Sequence, residues 1–271
     1  MTTFPNLKND LDELYRKYNQ RKYVHPDPLE FLYAYPEIKD REIAGLVASA
    51  LAYGRVAQIL KSVSYVLKIM GKSPYNFLKT ADYNYLCKSF KNFRHRFSDG
   101  TNVSAFLWGI KTVIERFGSI YNCFNKGLSV DDENLMPAMS FFVSHLTEKG
   151  KDYGHLVANP EKKSACKRMN LFLRWMIRKD HVDPGGWEEI PASKLIVPID
   201  THMYKIGCAL HFTKRKQTDM KTAMEITSAF KHILPEDPAK YDFILTRLGI
   251  RTDMEIPPEN LFYNICNTQK P

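Results

Sequence analysis

Metal-binding and disulfide patterns are missing from this sequence. No Cys-x-x-Cys pair and no Cys/His pair has the spacing of metal ligands, which excludes the common zinc folds. The cysteines are odd in number and far apart, which is typical of reduced thiols in a cytoplasmic protein. We therefore expect no metal and no disulfide framework among Cys87, Cys123, Cys166, Cys208 and Cys266.

Long apolar segments are also missing. No stretch approaches the 18 apolar residues that a membrane-spanning helix needs. The first residues, MTTFPNLKNDLDELYRKYN, are charged and lack the apolar core of a signal peptide. We find no internal repeat and no low-complexity tract. These absences predict a cytoplasmic protein that has no membrane partner.

What the sequence does contain is helical periodicity. Hydrophobic residues make up 44% of the 271 residues, enough to bury a sizeable core. Alternating apolar and polar runs are scarce, so we predict an all-α fold in one domain over residues 1–271. Asp40 is expected to cap a core helix that Gly54 ends, and Ser73-Pro74 marks another start. Further helices are predicted at 81–93, 102–117, 135–149, 164–179, 201–211, 219–233 and 238–248, with loops at 94–101 and 127–134.

Positive charge is concentrated in one quarter of the chain. Residues 160–231 carry 14 Lys and Arg against 8 Asp and Glu, within a chain of net charge +9. A basic region of this kind suits a polyanionic partner, although many basic proteins bind none.

The segment 196–210, IVPIDTHMYKIGCAL, contains the first candidate site residue. Pro198 disfavours helix for Val197, and helical spacing begins after Asp200, so the Asp200 side chain is predicted to be an N-cap. A cap is the commonest role for an aspartate at such a position. The same carboxylate can also face a developing positive charge at the mouth of a cleft.

The segment 160–178, PEKKSACKRMNLFLRWMIR, contains the second. The basic side chains on this predicted helix recur at spacings of three and four, which indicates either a solvated stripe or a phosphate-binding face. In the second interpretation, Lys162, Lys163 and Arg168 contact a phosphate together with the free amides of the helix start. Lys167 then points into the same cleft as Asp200, where a neutral amine is a nucleophile.

The residues VPIDTHMYKI resemble the V-P-[VI]-D-T-H-[VM] signature of the helix-hairpin-helix DNA glycosylases. The likeness is nearest to the 8-oxoguanine glycosylase/AP lyase branch, and SACKRMNLFLRWM lies where that superfamily carries its hairpin and catalytic lysine. The resemblance implies a two-lobed helical fold with a modified helix-hairpin-helix, whose catalytic segment spans 160–211. It also implies no cofactor, because the four-cysteine cluster loop of some relatives is absent.

The resemblance assigns roles to individual residues. Lys167 becomes the nucleophile and Asp200 its electrostatic and proton-transfer partner. The DNA contacts fall on Lys162, Lys163, Ser164 and Arg168. This hairpin reads NPEKKSACK and has no glycine, whereas the superfamily's hairpin is glycine-rich.

Two further residues are candidates for the pocket that receives a base. Trp187 follows two glycines in the long connector 180–199, and His202 follows the Asp200-Thr201 pair. Each is also consistent with a purely structural role. Trp175 is assigned to the core.

The predicted function is base-excision repair, in which a glycosylase with AP lyase activity removes an oxidised, 8-oxoguanine-like purine from lesion-containing duplex DNA. Two alternatives stay open. One is a non-catalytic nucleic-acid-binding protein on the same scaffold. The other is a helical interaction protein in which Lys167 is a surface charge and Asp200 only a cap.

The whole chain also resembles an uncharacterised bacterial family. The likeness lies in the segments DPLEFLYAYPEIKDREIAGLVASALAYGRVAQI, FLRWMIRKDHVDPGGW and DPAKYDFILTRLGI. It implies no activity.

Overall fold

Helices make up most of the structure, a computed structural model that describes residues 4–162, 164–251, 253–256, 260 and 262. The α-helices are α1 (Phe4–Tyr18), α2 (Ile38–Ala50), α3 (Val56–Met70), α4 (Pro74–Thr80), α5 (Tyr83–Phe90), α6 (Gly100–Phe117), α7 (Ile120–Lys126), α8 (Met136–Leu146), α9 (Lys167–Ile177), α10 (Thr201–Ala209), α11 (Met220–Ile233) and α12 (Asp242–Leu248). Short 3-10 turns lie at Arg21–Tyr23, Pro28–Ala34 and Ala192–Lys194. The all-α prediction is confirmed.

One small hairpin interrupts the helices where a loop was predicted. Strand β1 (Arg94–His95) pairs antiparallel with β2 (Ser98–Asp99). The buried His95 ring anchors β1, because it lies 2.9 Å from Ser62 Oγ on α3 and 3.0 Å from the carbonyl oxygen of Tyr53. Strands of two residues are too short to show in the sequence the alternation of apolar and polar side chains that indicates a strand.

Polar side chains fix the starts of α4, α5, α6, α7, α10 and α11 by accepting a hydrogen bond from a free backbone amide. The predicted starts at Ser73 and Asp200 are confirmed. The prediction for Asp40 is wrong, because α2 begins earlier, at Ile38. The Asp40 carboxylate instead accepts bonds from Ser73 Oγ and Tyr75 N, both at 2.8 Å, and so holds the start of α4.

Helix α2 lies at the centre of the molecule. It is buried almost all round and packs against α9 and the 3-10 turn Pro28–Ala34, as its apolar sequence predicts. Gly45 permits this approach, since a Cβ there would lie 3.1 Å from Leu32 and 3.4 Å from Phe172. The chain leaves α2 through Gly54, whose φ of +100° favours glycine.

The amino-terminal helix packs against the carboxyl-terminal ones. Leu7, Leu11 and Leu14 are buried along one face of α1, which contacts α11 and α12. Helix α12 also contacts α10. This arrangement brings the starts of α10 and α12 close to α9, which lies on the other side of the candidate site. Among the described residues, no helix combines the length and apolarity needed to cross a membrane.

Helix α9 is shorter at both ends than predicted. It starts at Lys167 rather than Ser164, because Cys166 adopts a left-handed conformation with φ of +47°. Residues 147–162 and 164–166 form turns and an isolated bridge between Ser164 and Asp219. The segment where the resemblance places a hairpin is therefore an irregular connection between α8 and α9.

Candidate functional site

A cavity of about 220 Å³ lies between α9, the start of α10 and α12. Residues 26–28 and the start of α3 complete its wall. Lys167 and Asp200, the two residues that the sequence placed in one cleft, both line it. The convergence that the sequence-based hypothesis requires is therefore present in the structure.

Lys167 is the first residue of α9 and is half-buried. Among the described residues, none accepts a hydrogen bond from its ammonium group or forms an ion pair with it. The other cationic side chains of this wall are paired: Arg247 with Asp27, Arg251 with Asp253, and Arg174 with Asp183 and Asp242. The Lys167 amine is thus available to a bound molecule.

Asp200 holds its predicted place at the start of α10. Its Oδ1 accepts a hydrogen bond from the amide of Met203 at 2.8 Å. The strand-like residues before it are fixed by a bond from the Val197 amide to Thr227 Oγ1 on α11, at 3.0 Å. Gly207 lets α10 lie close to α11, since a Cβ at this position would come within 2.6 Å of the Ile226 side chain. The cap and the packing together set where the carboxylate lies.

A third acid, Asp242, lines the cavity and was not singled out from the sequence. It is the first residue of α12, only 3% exposed, and ion-paired with Arg174. Burial raises its pKa to about 6, against the attraction of Arg174, and the nearby negative charge of Asp200 adds to the rise. The signal in the sequence was an aspartate inside the apolar run YDFIL, since a charge buried there needs a partner.

The basic stripe predicted along α9 is divided between two environments. Arg174 and Arg178 are buried and bind carboxylates, whereas the prediction left them facing solvent or phosphate. Arg174 Nη2 lies 3.1 Å from Asp183, and Arg178 Nε lies 2.9 Å from Asp237. Arg178 also pairs with Asp183 and with Asp180. This network ties the start of the 180–199 connector to α9.

The predicted DNA contacts are only partly in place. Lys162 and Ser164 are exposed, and Lys163 lies outside the described residues. Arg168 has a different role from the one predicted. Its guanidinium donates to the carbonyl oxygens of Ala50 and His155 and lies 5.0 Å from the centre of the Tyr53 ring. Because these contacts hold its terminal nitrogens, Arg168 joins α9 to the end of α2 rather than gripping a phosphate.

The predicted base-pocket residues lie away from the cavity. Trp187 has no solvent exposure, packs against Phe124 and Phe172, and donates from Nε1 to Glu42 Oε2 at 3.3 Å. His202 is half-buried on the first turn of α10, outside the cavity wall that the described residues form. Trp175 is buried as predicted, yet it lines the cavity. Of the two tryptophans, it is therefore Trp175 and not Trp187 that lines the cavity.

Metal and thiol chemistry has no evident place at this site. Among the residues that the structure describes, no group of three His, Cys, Asp or Glu is arranged to hold a metal ion. Asp180 and Asp183, near His181 in the connector, bind arginines instead. Burial raises the pKa of the Cys166 thiol, next to Lys167 in the chain, which disfavours its reactive thiolate form.

The chain belongs to a known family. A family model described as "Protein of unknown function (DUF2400)" matches residues 27–251, which include every residue of the cavity wall except Pro26. No curated protein and no solved structure gives a significant match.

Proposed function

We propose that this protein is a DNA glycosylase with AP lyase activity, acting on an oxidised purine in duplex DNA. The observation that carries the proposal is the cavity shared by Lys167 and Asp200, which are 33 positions apart in the chain. An unpaired amine and a carboxylate that line one hollow large enough for a base are the arrangement that this chemistry needs. The resemblance of VPIDTHMYKI to the glycosylase signature supports the same assignment.

The reaction assigns a separate role to each side chain. The Lys167 amine, in its neutral form, attacks C1′ of the flipped nucleotide, and the C1′–N bond breaks with its electron pair leaving on the base, which takes up a proton. Asp200 stabilises the positive charge that develops on the sugar and accepts the proton released by the amine. Ring opening gives a Schiff base, and loss of a C2′ proton then expels the 3′ phosphate.

The surface beside the cavity suits a nucleic-acid partner. Phe97, at the tip of the β1–β2 hairpin, is 66% exposed, and Arg94 and Arg96 flank it. The Arg96 side chain lies against Gly54, two residues from Val56 in the cavity wall. An exposed ring among arginines can stack on bases and contact phosphates.

The proposal is tested by trapping with borohydride. The protein is incubated with duplexes that carry single lesions, beginning with 8-oxoguanine, and a covalent adduct is expected in gels under denaturing conditions. Lys167→Gln should abolish the adduct. Lys205→Gln, an exposed lysine on α10, is the matched control and should leave it unchanged.

The outcomes separate the alternatives. The absence of an adduct on every lesion would refute the lyase proposal. If the protein then still shifts DNA with a steep salt dependence, it is the non-catalytic binding protein. If it neither shifts DNA nor forms an adduct, the interaction-protein alternative holds.

A further inference from the structure

The tip of the β1–β2 hairpin carries flat side chains that face solvent. Phe97 is 66% exposed, and its ring centre lies 5.1 Å from that of His155, which is also exposed. The Arg96 guanidinium lies 5.2 Å from the centre of the Phe97 ring. A lone apolar residue on a protein surface is common. A phenyl ring, an imidazole ring and a guanidinium group side by side, however, form a surface on which another flat group can stack.

The turn that presents this surface is built at a local cost. Arg96 and Phe97 are its two central residues, between the paired His95 and Ser98. The φ of Arg96 is +52°, in the left-handed region that glycine adopts readily and other residues rarely. Two-residue hairpin turns favour glycine where φ is positive. An arginine here gives up turn stability and places a cation beside the exposed ring.

The support beneath the hairpin is rigid. The Tyr53 hydroxyl donates to the carbonyl oxygen of His95 at 3.1 Å and to Ser98 Oγ at 2.8 Å. Arg168 on α9 donates to the carbonyl oxygen of His155 and lies 5.0 Å from the centre of the Tyr53 ring. The backbone on both sides of the stacking surface is thus fixed, so a ligand that stacks there costs little conformational entropy.

Positive charge surrounds the exposed ring. Arg55 and Arg96 are exposed, and neither forms an ion pair among the described residues. Arg94 is also exposed and lies 3.6 Å from Asp99. Arginines around an aromatic ring suit a nucleic-acid strand, whose phosphates and bases alternate. Within a duplex each base face is covered by its neighbours, so a surface ring finds a free face only on an unpaired base.

We infer that the hairpin tip binds single-stranded DNA, with Phe97 stacked on an unpaired base and Arg96 in contact with an adjacent phosphate. His155 supports the Phe97 ring from the side. The hairpin lies outside the cavity wall that the described residues form. The inference therefore goes beyond the proposed function and does not rest on it.

Binding is measured by fluorescence anisotropy on the full chain with three labelled probes of equal length. They are a thymidine strand, a strand of reduced abasic sugars that cannot form a Schiff base, and a blunt duplex. Phe97→Ala removes the stacking ring. Tyr85→Ala is the matched control, because Tyr85 on α5 is 52% exposed and its ring contacts Phe77 rather than an arginine.

Stacking predicts which probe each aromatic variant affects. Phe97→Ala should weaken binding of the thymidine strand about tenfold, the effect of one stacked base, and leave the abasic strand and the duplex unchanged. Phe97→Trp should bind the thymidine strand at least as tightly as the parent protein. Tyr85→Ala should bind all three probes like the parent.

Arg96→Gly separates binding from folding. Glycine adopts a positive φ readily, so the free energy of unfolding should not fall. The loss of a phosphate contact should weaken binding of both single strands. It should also reduce the slope of log K against log salt concentration by about 0.7.

Other results would overturn the inference. Parent-like binding of the thymidine strand by Phe97→Ala would do so, as would an equal loss on the thymidine and abasic strands or an equal loss in Tyr85→Ala. If Phe97→Ala binds normally while the borohydride adduct forms, the inference fails and the proposed function stands. If single-strand binding depends on Phe97 but no lesion gives an adduct, the inference stands and the lyase proposal fails.

Discussion

The two ends of helix α9 use positive charge in different ways. At its start, Lys167 is half-buried at the cavity and unpaired among the described residues. At and just beyond its end, Arg174 and Arg178 are buried and bound to carboxylates of the connector and of the region around α12. The three cations are seven and four positions apart, spacings that place them on one face of a helix. Whether a carboxylate lies close enough to pair therefore determines which cation is structural and which is available to a bound molecule.

Replacing the cation near each end of α9 by methionine should give the largest difference in the free energy of unfolding. Arg178→Met leaves Asp237 without an arginine and Asp183 with Arg174 alone, so we expect a loss of about 3–5 kcal/mol in the free energy of unfolding. Lys167→Met breaks no pairing and should change it by less than about 0.5 kcal/mol. Urea unfolding of both variants measures the difference. Equal losses would show that Lys167 is a structural cation as well.

Asp242, which pairs with Arg174, and Asp180, which pairs with Arg178, should respond to pH with opposite signs. Burial raises the pKa of Asp242, from an unfolded value near 3.8 to about 6, so its contribution to stability is lost as pH rises from 4 to 6. Arg178 and Tyr15 overcome the effect of burial at Asp180 and lower its pKa, so its contribution is lost as pH falls below about 4.

Two asparagine variants isolate these contributions. Relative to the parent, Asp242→Asn should gain on the order of 2 kcal/mol in unfolding free energy between pH 4 and pH 6. Asp180→Asn should show a deficit above pH 4 that shrinks at lower pH. Urea titrations from pH 3 to pH 7 record both differences. If the stability differences of both variants changed with pH in the same direction, Asp242 and Asp180 would not differ in the way proposed.

Asp200 should show the smallest effect on stability and a large one on activity. Asn caps a helix as well as Asp does, so Asp200→Asn should keep the parent's stability but form adduct far more slowly. Asp200→Ala removes the cap and should cost about 1 kcal/mol. The comparison needs unfolding curves and trapping rates for both variants. If Asp200→Asn forms adduct at the parent rate, this carboxylate serves only as a cap.

Sequence reasoning predicted the residues whose neighbours along the chain determine their role. Pro198 and the helical spacing after Asp200 were enough to place the cap. It failed where a role depends on distant partners. Arg168 is held by carbonyl groups 13 and 118 positions away, and Asp242 is paired with an arginine 68 positions away.

The tryptophans illustrate the same limit. Trp187 was a pocket candidate because it follows two glycines in a connector, but its indole is buried and donates a hydrogen bond to Glu42 on α2. Trp175 was assigned to the core, and it is buried there. The cavity opens beside it only because α10 and α12 both begin there, which no pattern within α9 reveals.

The long connector between α9 and α10 is anchored at both ends. Near its beginning the Asp183 carboxylate is bound by Arg174 of α9 and by Arg178 just beyond that helix. Near its close the Val197 amide is bonded to Thr227 of α11. Pro198 and Asp200 follow this second anchor directly. They therefore belong to a wall that is formed before a ligand enters, and not to a segment that moves to close the cavity. A ligand that enters the cavity finds this wall already in its bound conformation, so the wall loses little conformational entropy on binding.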